Sequence, residues 1–139
     1  MGGNTMQSLL EPKLSATVDP TIFNVMKETA IHLLSEVDKC RYTQAIVLRS
    51  SNQNTYSIII CDALSMEHRD ETSLLKNIQE AKDSKINFVL CMWQDHCIDI
   101  PSFAFRKMLL QSNTENSETT LFVMTTEGVS GIKLSATMK

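Results

Sequence analysis

The sequence predicts an α/β domain of three layers, α/β/α, with helices on both faces of a mixed sheet of about five to six strands. Three observations predict it. The stretch Ile86-Asn87-Phe88-Val89-Leu90-Cys91-Met92-Trp93 is apolar at nearly every position, the pattern of a strand covered by helices on both sides. Two β-rich runs, Ala45-Ile46-Val47-Leu48 and Tyr56-Ser57-Ile58-Ile59-Ile60, flank the turn formers Ser50-Ser51-Asn52-Gln53-Asn54 and read as a hairpin. Segments of helical period alternate with these runs, giving the order helix, strand, strand, helix, strand, helix, strand, strand.

The elements follow in order. Residues 1–18 are small and polar with scattered leucines and are expected to form a loosely ordered tail, leaving 19–139 as a single domain. Asp19-Pro20 supplies a capping carboxylate and a proline at the first helical position. Ile22, Met26, Ala30, Leu33 and Val37 then recur at helical spacing, reinforced by Phe23 and Leu34. After the hairpin, the polar residues 62–70 lead to a second helix with Leu74, Leu75, Ile78 and Ala81 on one side, ended by Lys82-Asp83-Ser84-Lys85. The strand Ile86–Trp93 is placed centrally. A third helix is expected over about residues 102–111, with Phe103, Met108 and Leu109 turned inward, and residues 112–119 read as a polar loop. Leu121-Phe122-Val123-Met124 and Val129-Ser130-Gly131-Ile132-Lys133-Leu134 form the last two strands, joined across Glu127-Gly128.

Bulk properties narrow the function classes. With 139 residues, 42% hydrophobic, the chain buries a core of ordinary size, and a formal net charge of −3 argues against a protein built to grip a phosphate backbone. No nucleic acid partner is expected. The N-terminus has no charged-then-apolar leader pattern, and Ile58-Ile59-Ile60-Cys61 is far too short to span a bilayer, so a cytoplasmic protein without membrane contact is expected. Cys40, Cys61, Cys91 and Cys97 form no Cys-x-x-Cys pair, and the apolar neighbours of Cys61 and Cys91 suit reduced, buried thiols.

The informative chemistry lies at two helix starts. His68-Arg69-Asp70-Glu71-Thr72-Ser73-Leu74-Leu75-Lys76 opens the second helix, and Pro101-Ser102-Phe103-Ala104-Phe105-Arg106 opens the third. In order and spacing these segments resemble the small cytidine and blasticidin-S deaminase family. There a Cys or His with a Glu opens one helix, Pro-Cys-x-x-Cys opens the next, the metal activates water and the Glu moves the proton. The resemblance runs over about residues 33–134 and implies a cytidine deaminase-like fold. It aligns His68 and Asp70 with the family's ligand and acid, and Ser102 and Phe105 with its two zinc cysteines.

The departures point to a degenerate member. Ser102 and Phe105 cannot supply the thiolates that zinc takes in such sites, so only His68 keeps a ligand type. Asp70 is one methylene shorter than the family's Glu. The substrate-reading Asn-x-Glu appears as Asp62-Ala63-Leu64. Plainer roles are available: Asp70 and Ser102 as helix caps, His68 as a loop histidine, Asp95 and Asp99 as loop carboxylates, and Trp93 as a packing residue. His96-Cys97 brings a nitrogen and a sulfur close in sequence, but neighbours on an extended segment point opposite ways. Cys91 and Cys97 lack an identifiable catalytic partner.

The expectation is therefore a catalytically inactive deaminase-fold protein, with no resident cofactor and no metal, whose vestigial pocket is marked by His68, Asp70, Ser102 and Phe105. It would act by holding a small, nucleoside-like molecule or by forming a homo-oligomer, a dimer or tetramer built on Phe103, Phe105 and Met108. Two alternatives compete: a zinc-dependent nucleoside deaminase with unconventional ligands, and a roadblock-, longin- or profilin-like adaptor. Topology separates the last. A deaminase layout sets the strand Ile86–Trp93 beside the first hairpin, with the second and third helices together on one face.

Overall fold

The computed structural model describes residues 13–37, 42–61 and 69–138. Within them, three α-helices and six strands form a three-layer α/β/α domain. The helices are α1 (Pro20–Ser35), α2 (Arg69–Glu80) and α3 (Phe103–Ser112). The strands are β1 (Gln44–Ser50), β2 (Thr55–Ile60), β3 (Ile86–Trp93), β4 (Ile98–Asp99), β5 (Thr120–Thr125) and β6 (Gly128–Lys133). The sheet order is β2-β1-β3-β5-β6, with the two-residue β4 folded back on β3. Only β3 and β5 pair in parallel; the other strand pairs are antiparallel.

The two faces of the sheet carry separate cores. On one, Phe23, Met26, Ala30 and Leu34 of α1 pack against Ala45, Val47, Leu90, Met92 and Phe122. Phe122 anchors this layer, meeting Phe23 edge-on at 5.3 Å and stacking on Phe88 at 5.9 Å between centroids, geometries that ring quadrupoles favour. On the other face, Leu74, Leu75 and Ile78 of α2 and Phe105 and Leu109 of α3 pack against Ile46, Leu48, Val89 and Leu121. The α2 and α3 helices touch directly, Thr72 Oγ1 donating to Met108 Sδ at 3.6 Å. This is the deaminase layout, with β3 beside β1 and both helices on one face.

Local signals explain most elements. The Asp19 carboxylate accepts the Thr21 and Ile22 amides at 2.9 and 3.3 Å, and Pro20 opens α1 without needing a bond for its nitrogen. The buried stripe runs through Phe23 and Leu34, whereas Ile22 and Leu33 are only half-buried and Val37 lies beyond the helix end. Apolar neighbours sit at both 22/23 and 33/34, and the larger ring at 23 wins the interior. Similarly, α3 turns Phe105 and Leu109 inward and leaves Phe103 59% exposed, its ring lying 5.6 Å from the Arg106 guanidinium. Of the cysteines, Cys91 is buried in β3, but Cys61 is exposed because it stands just past the end of β2.

Part of the expected tail is held in place. Val18 is buried, and Leu14 bridges Val129 on the edge of β6, where the Val129 amide donates to Lys13 O at 2.6 Å and Ser15 N–H donates to Val129 O at 2.9 Å. Gly128 makes this approach feasible. Its φ is +113°, and a Cβ there would collide with the Lys13 carbonyl oxygen.

A buried carboxylate ties the β1–β2 turn to the end of α2. Lys82 adopts φ +57° and the Asp83 amide donates to Ile78 O, a left-handed helix stop that carries Asp83 inward. Ser50 Oγ, Asn52 Nδ2, Asn54 Nδ2 and Tyr56 OH all donate to its carboxylate, at 2.7–2.9 Å. Burial alone would raise the Asp83 pKa, but these four donors outweigh it and bring it from 3.8 to about 2. Because the folded value lies below the unfolded one, the stabilisation is complete above about pH 4 and is lost as the pH falls toward 2. Asp83→Asn is expected to cost about 2 kcal/mol at neutral pH and to flatten that acid limb, as read from urea midpoints at stepped pH.

Candidate functional site

The two helix starts singled out by sequence lie on the same face of the sheet, but their side chains diverge. The first turn of α2 carries Asp70 and Glu71. Asp70 is exposed and turns toward β2, where it lines a shallow groove with Ile59 and Ser73. That groove includes neither Ser102 nor Phe105. His68 and the Asp62-Ala63-Leu64 segment lie outside the described residues.

The acid that faces inward is Glu71, which is 6% exposed. The Cys91 thiol is held well above its ordinary pKa, first by burial and then by the negative charges of Asp99 and Glu71. Such a thiol is a core group rather than a nucleophile. The resemblance in sequence places the family's acid at Asp70, yet Leu74, Leu75 and Ile78 define the inward side of α2, and Glu71 stands one turn before Leu74 and Leu75 on that side. The phase of the helix is the signal that points to Glu71.

At the start of α3, Ser102 is the N-cap. Its Oγ accepts the Phe105 amide at 3.2 Å, meeting one of the helix's otherwise unpaired donors. Ser102→Ala is expected to lower stability by about 1 kcal/mol, measured by thermal unfolding. Phe105 is 0% exposed, in one core cluster with Leu74, Cys91, Leu109 and Leu134. Arg106 secures the following chain: its Nε donates to Pro101 O at 3.0 Å and its Nη1 to Thr137 O at 2.8 Å.

The β3–β4 connection is a tight turn rather than an open loop. His96 takes φ +69°, and Asp95 accepts both the Cys97 amide, at 3.0 Å, and the Cys97 thiol, at 3.3 Å. These bonds lower the Asp95 pKa and raise that of Cys97. Asp99 lies in β4 opposite Cys91 and accepts the Trp93 indole N–H at 3.4 Å. Among the described residues, no group of three or more His, Cys, Asp or Glu side chains is placed to hold a metal ion.

The solved structures that resemble this fold include cytidine deaminases. That from Mycobacterium leprae aligns with a TM-score of 0.61 at 11% identity, covering 84% of this chain and 96% of its own. The enzyme from Bacillus anthracis aligns with a TM-score of 0.62 at 11% identity, covering 84% and 86%. The Mycobacterium tuberculosis enzyme aligns with a TM-score of 0.56 at 10% identity, over 83% and 92%. No protein-family model matches the sequence, and no curated protein matches it. At this identity the likeness establishes a cytidine deaminase-like fold, and the chemistry has to be read from the residues themselves.

The zinc that the sequence resemblance implies does not fit the residues at the α3 start. It would take thiolates there, whereas the Ser102 hydroxyl is engaged in capping and the Phe105 ring fills the interior. Among the described residues, no helix is long and apolar enough to cross a membrane.

Proposed function

We propose that this chain is a deaminase-fold protein that does not hydrolyse cytidine-like amidines and acts by assembly, with itself or a partner, or by holding a small nucleoside-like molecule. The observation that carries this reading is Phe105, fully buried at the position the resemblance assigns to a zinc ligand. Converting that position to a metal ligand removes a core ring, so the site and the fold compete for the same space. Asp70, exposed on the β2 side, and Ser102, a cap, leave His68 as the remaining member of the pocket set. For assembly through α3, Phe105 is unavailable. Exposed Phe103 and half-buried Met108 remain as contacts.

Protein purified without chelator is expected to hold far less than one zinc per chain and to leave cytidine unchanged. Stoichiometric zinc that disappears with His68→Ala, or cytidine turnover, would overturn the non-catalytic reading and restore the deaminase with unconventional ligands. Light scattering over a concentration series is expected to show a dimer or tetramer that Phe103→Ser weakens. A strict monomer at high micromolar concentration removes self-assembly and leaves ligand or partner binding.

A further inference from the structure

We propose that the outer edge of β2 and the adjoining side of α2 form a docking groove for an extended peptide segment that carries a basic side chain. In the sheet order, β2 stands at one end, with β1 as its only neighbour among the described strands. Its sequence, Thr-Tyr-Ser-Ile-Ile-Ile, contains no charge and no proline, the devices by which edge strands ordinarily repel another strand. The opposite edge of the same sheet, at β6, is partly covered by the extended segment around Lys13 and Ser15.

Beside this edge lies a cavity of about 380 Å³. Ser57, Ile58 and Ile59 form its strand side, while Asp70, Ser73, Leu74 and Asn77 form its helix side. A strand edge beside a helix is the arrangement in which peptides add by main-chain pairing, with side-chain pockets giving selectivity. The edge is also preformed, because Tyr56 at its start is tied to the buried Asp83. That anchoring lowers the ordering cost of binding.

Charge selects the occupant. Among the described residues lining the groove, Asp70 is the only acidic or basic one. A second copy paired edge to edge would bring another Asp70 groove and no cation from the groove to offset it, whereas an extended segment bearing Lys or Arg neutralises the carboxylate. The groove lies on the side of α2 away from Met108 and is lined by neither Ser102 nor Phe105, so it does not depend on what the α3 start holds.

The test uses the full chain and a fluorescently labelled, end-blocked hexapeptide, Thr-Val-Lys-Val-Thr-Val, in polarisation titrations. Saturable binding is expected, weakened about tenfold by Asp70→Lys or by a peptide with Glu in place of Lys. Methylation of alternate peptide amides is expected to abolish it, since it removes the pairing donors without touching the protein. Asp70 is exposed, so its replacement leaves the core intact. Absence of saturable binding below millimolar concentration, or binding indifferent to both Asp70→Lys and amide methylation, would overturn the proposal. A dimer that dissociates on Ile58→Lys would overturn it too, by assigning the edge to a second copy.

Discussion

Phe105→Ala is expected to lower the unfolding free energy by about 4 kcal/mol, the cost of deleting a buried aromatic ring and leaving part of its space empty. Phe105 touches a core built from α2, β3, β5 and the 3-10 turn at Leu134–Thr137, so no single element can move in to fill the gap. Phe105→Leu keeps most of the volume and is expected to cost less than about 1.5 kcal/mol. Guanidinium chloride unfolding of both variants measures this. If the ring instead lined a solvent-open ligand pocket, Phe105→Ala would cost under about 1 kcal/mol and the two variants would be indistinguishable. The same experiment weighs the functional reading, because a position worth this much to the core is not free to become a metal ligand.

Asn116→Ala is the second large effect, at about 3 kcal/mol. Residues 112–119 read as a polar loop, yet Thr114–Glu118 form a 3-10 turn and Asn116 is fully buried. Its Oδ1 accepts the Ile86 amide at 2.8 Å, and its Nδ2 donates to Ser84 O and Leu109 O, each at 2.9 Å. Alanine leaves the Ile86 amide and the Ser84 carbonyl without this partner inside the protein, where each costs far more than it would in water, while Leu109 O keeps the Ser112 hydroxyl and the Asn113 amide. Asn116→Asp does not rescue the site, since it keeps the acceptor for Ile86 but turns an anion toward two carbonyl oxygens. Beyond the loss in chemical unfolding, faster hydrogen exchange at the Ile86 amide is expected, because β3 loses the side chain that fixes its first residue. An unchanged exchange rate at Ile86 would contradict this assignment.

Asn116 and Asp83 show why part of the molecule is not legible in its sequence. Both are polar residues in polar neighbourhoods, Asn116 within Thr114–Glu118 and Asp83 within Lys82-Asp83-Ser84-Lys85. Nothing within a few positions distinguishes them from solvated turn residues. Their burial follows from partners 30 or so positions away, Ile86 for Asn116 and Ser50 for Asp83. The candidate site diverges for a different reason. Asp70 and Glu71 are adjacent acids, and one position around a helix is about 100° of rotation, so a one-residue choice decides which acid meets the core. Motif spacing places the acid at Asp70. The apolar phase of α2 places Glu71 inward.

What the sequence determined by itself was the three helices, the five longer strands and their layering, but not the short β4 or the 3-10 turns. The Asp19-Pro20 start of α1, the turn formers between β1 and β2, the uninterrupted apolar β3 and the Ser102 cap are each encoded within a few neighbouring residues, where backbone preference and periodicity act directly. Only the tertiary structure decided which of two nearby apolar candidates turns inward, Phe23 over Ile22 and Phe105 over Phe103, and which polar residues become buried anchors. Those choices are made by surfaces that meet across long stretches of chain, where ring volume and unpaired backbone groups must be accommodated together.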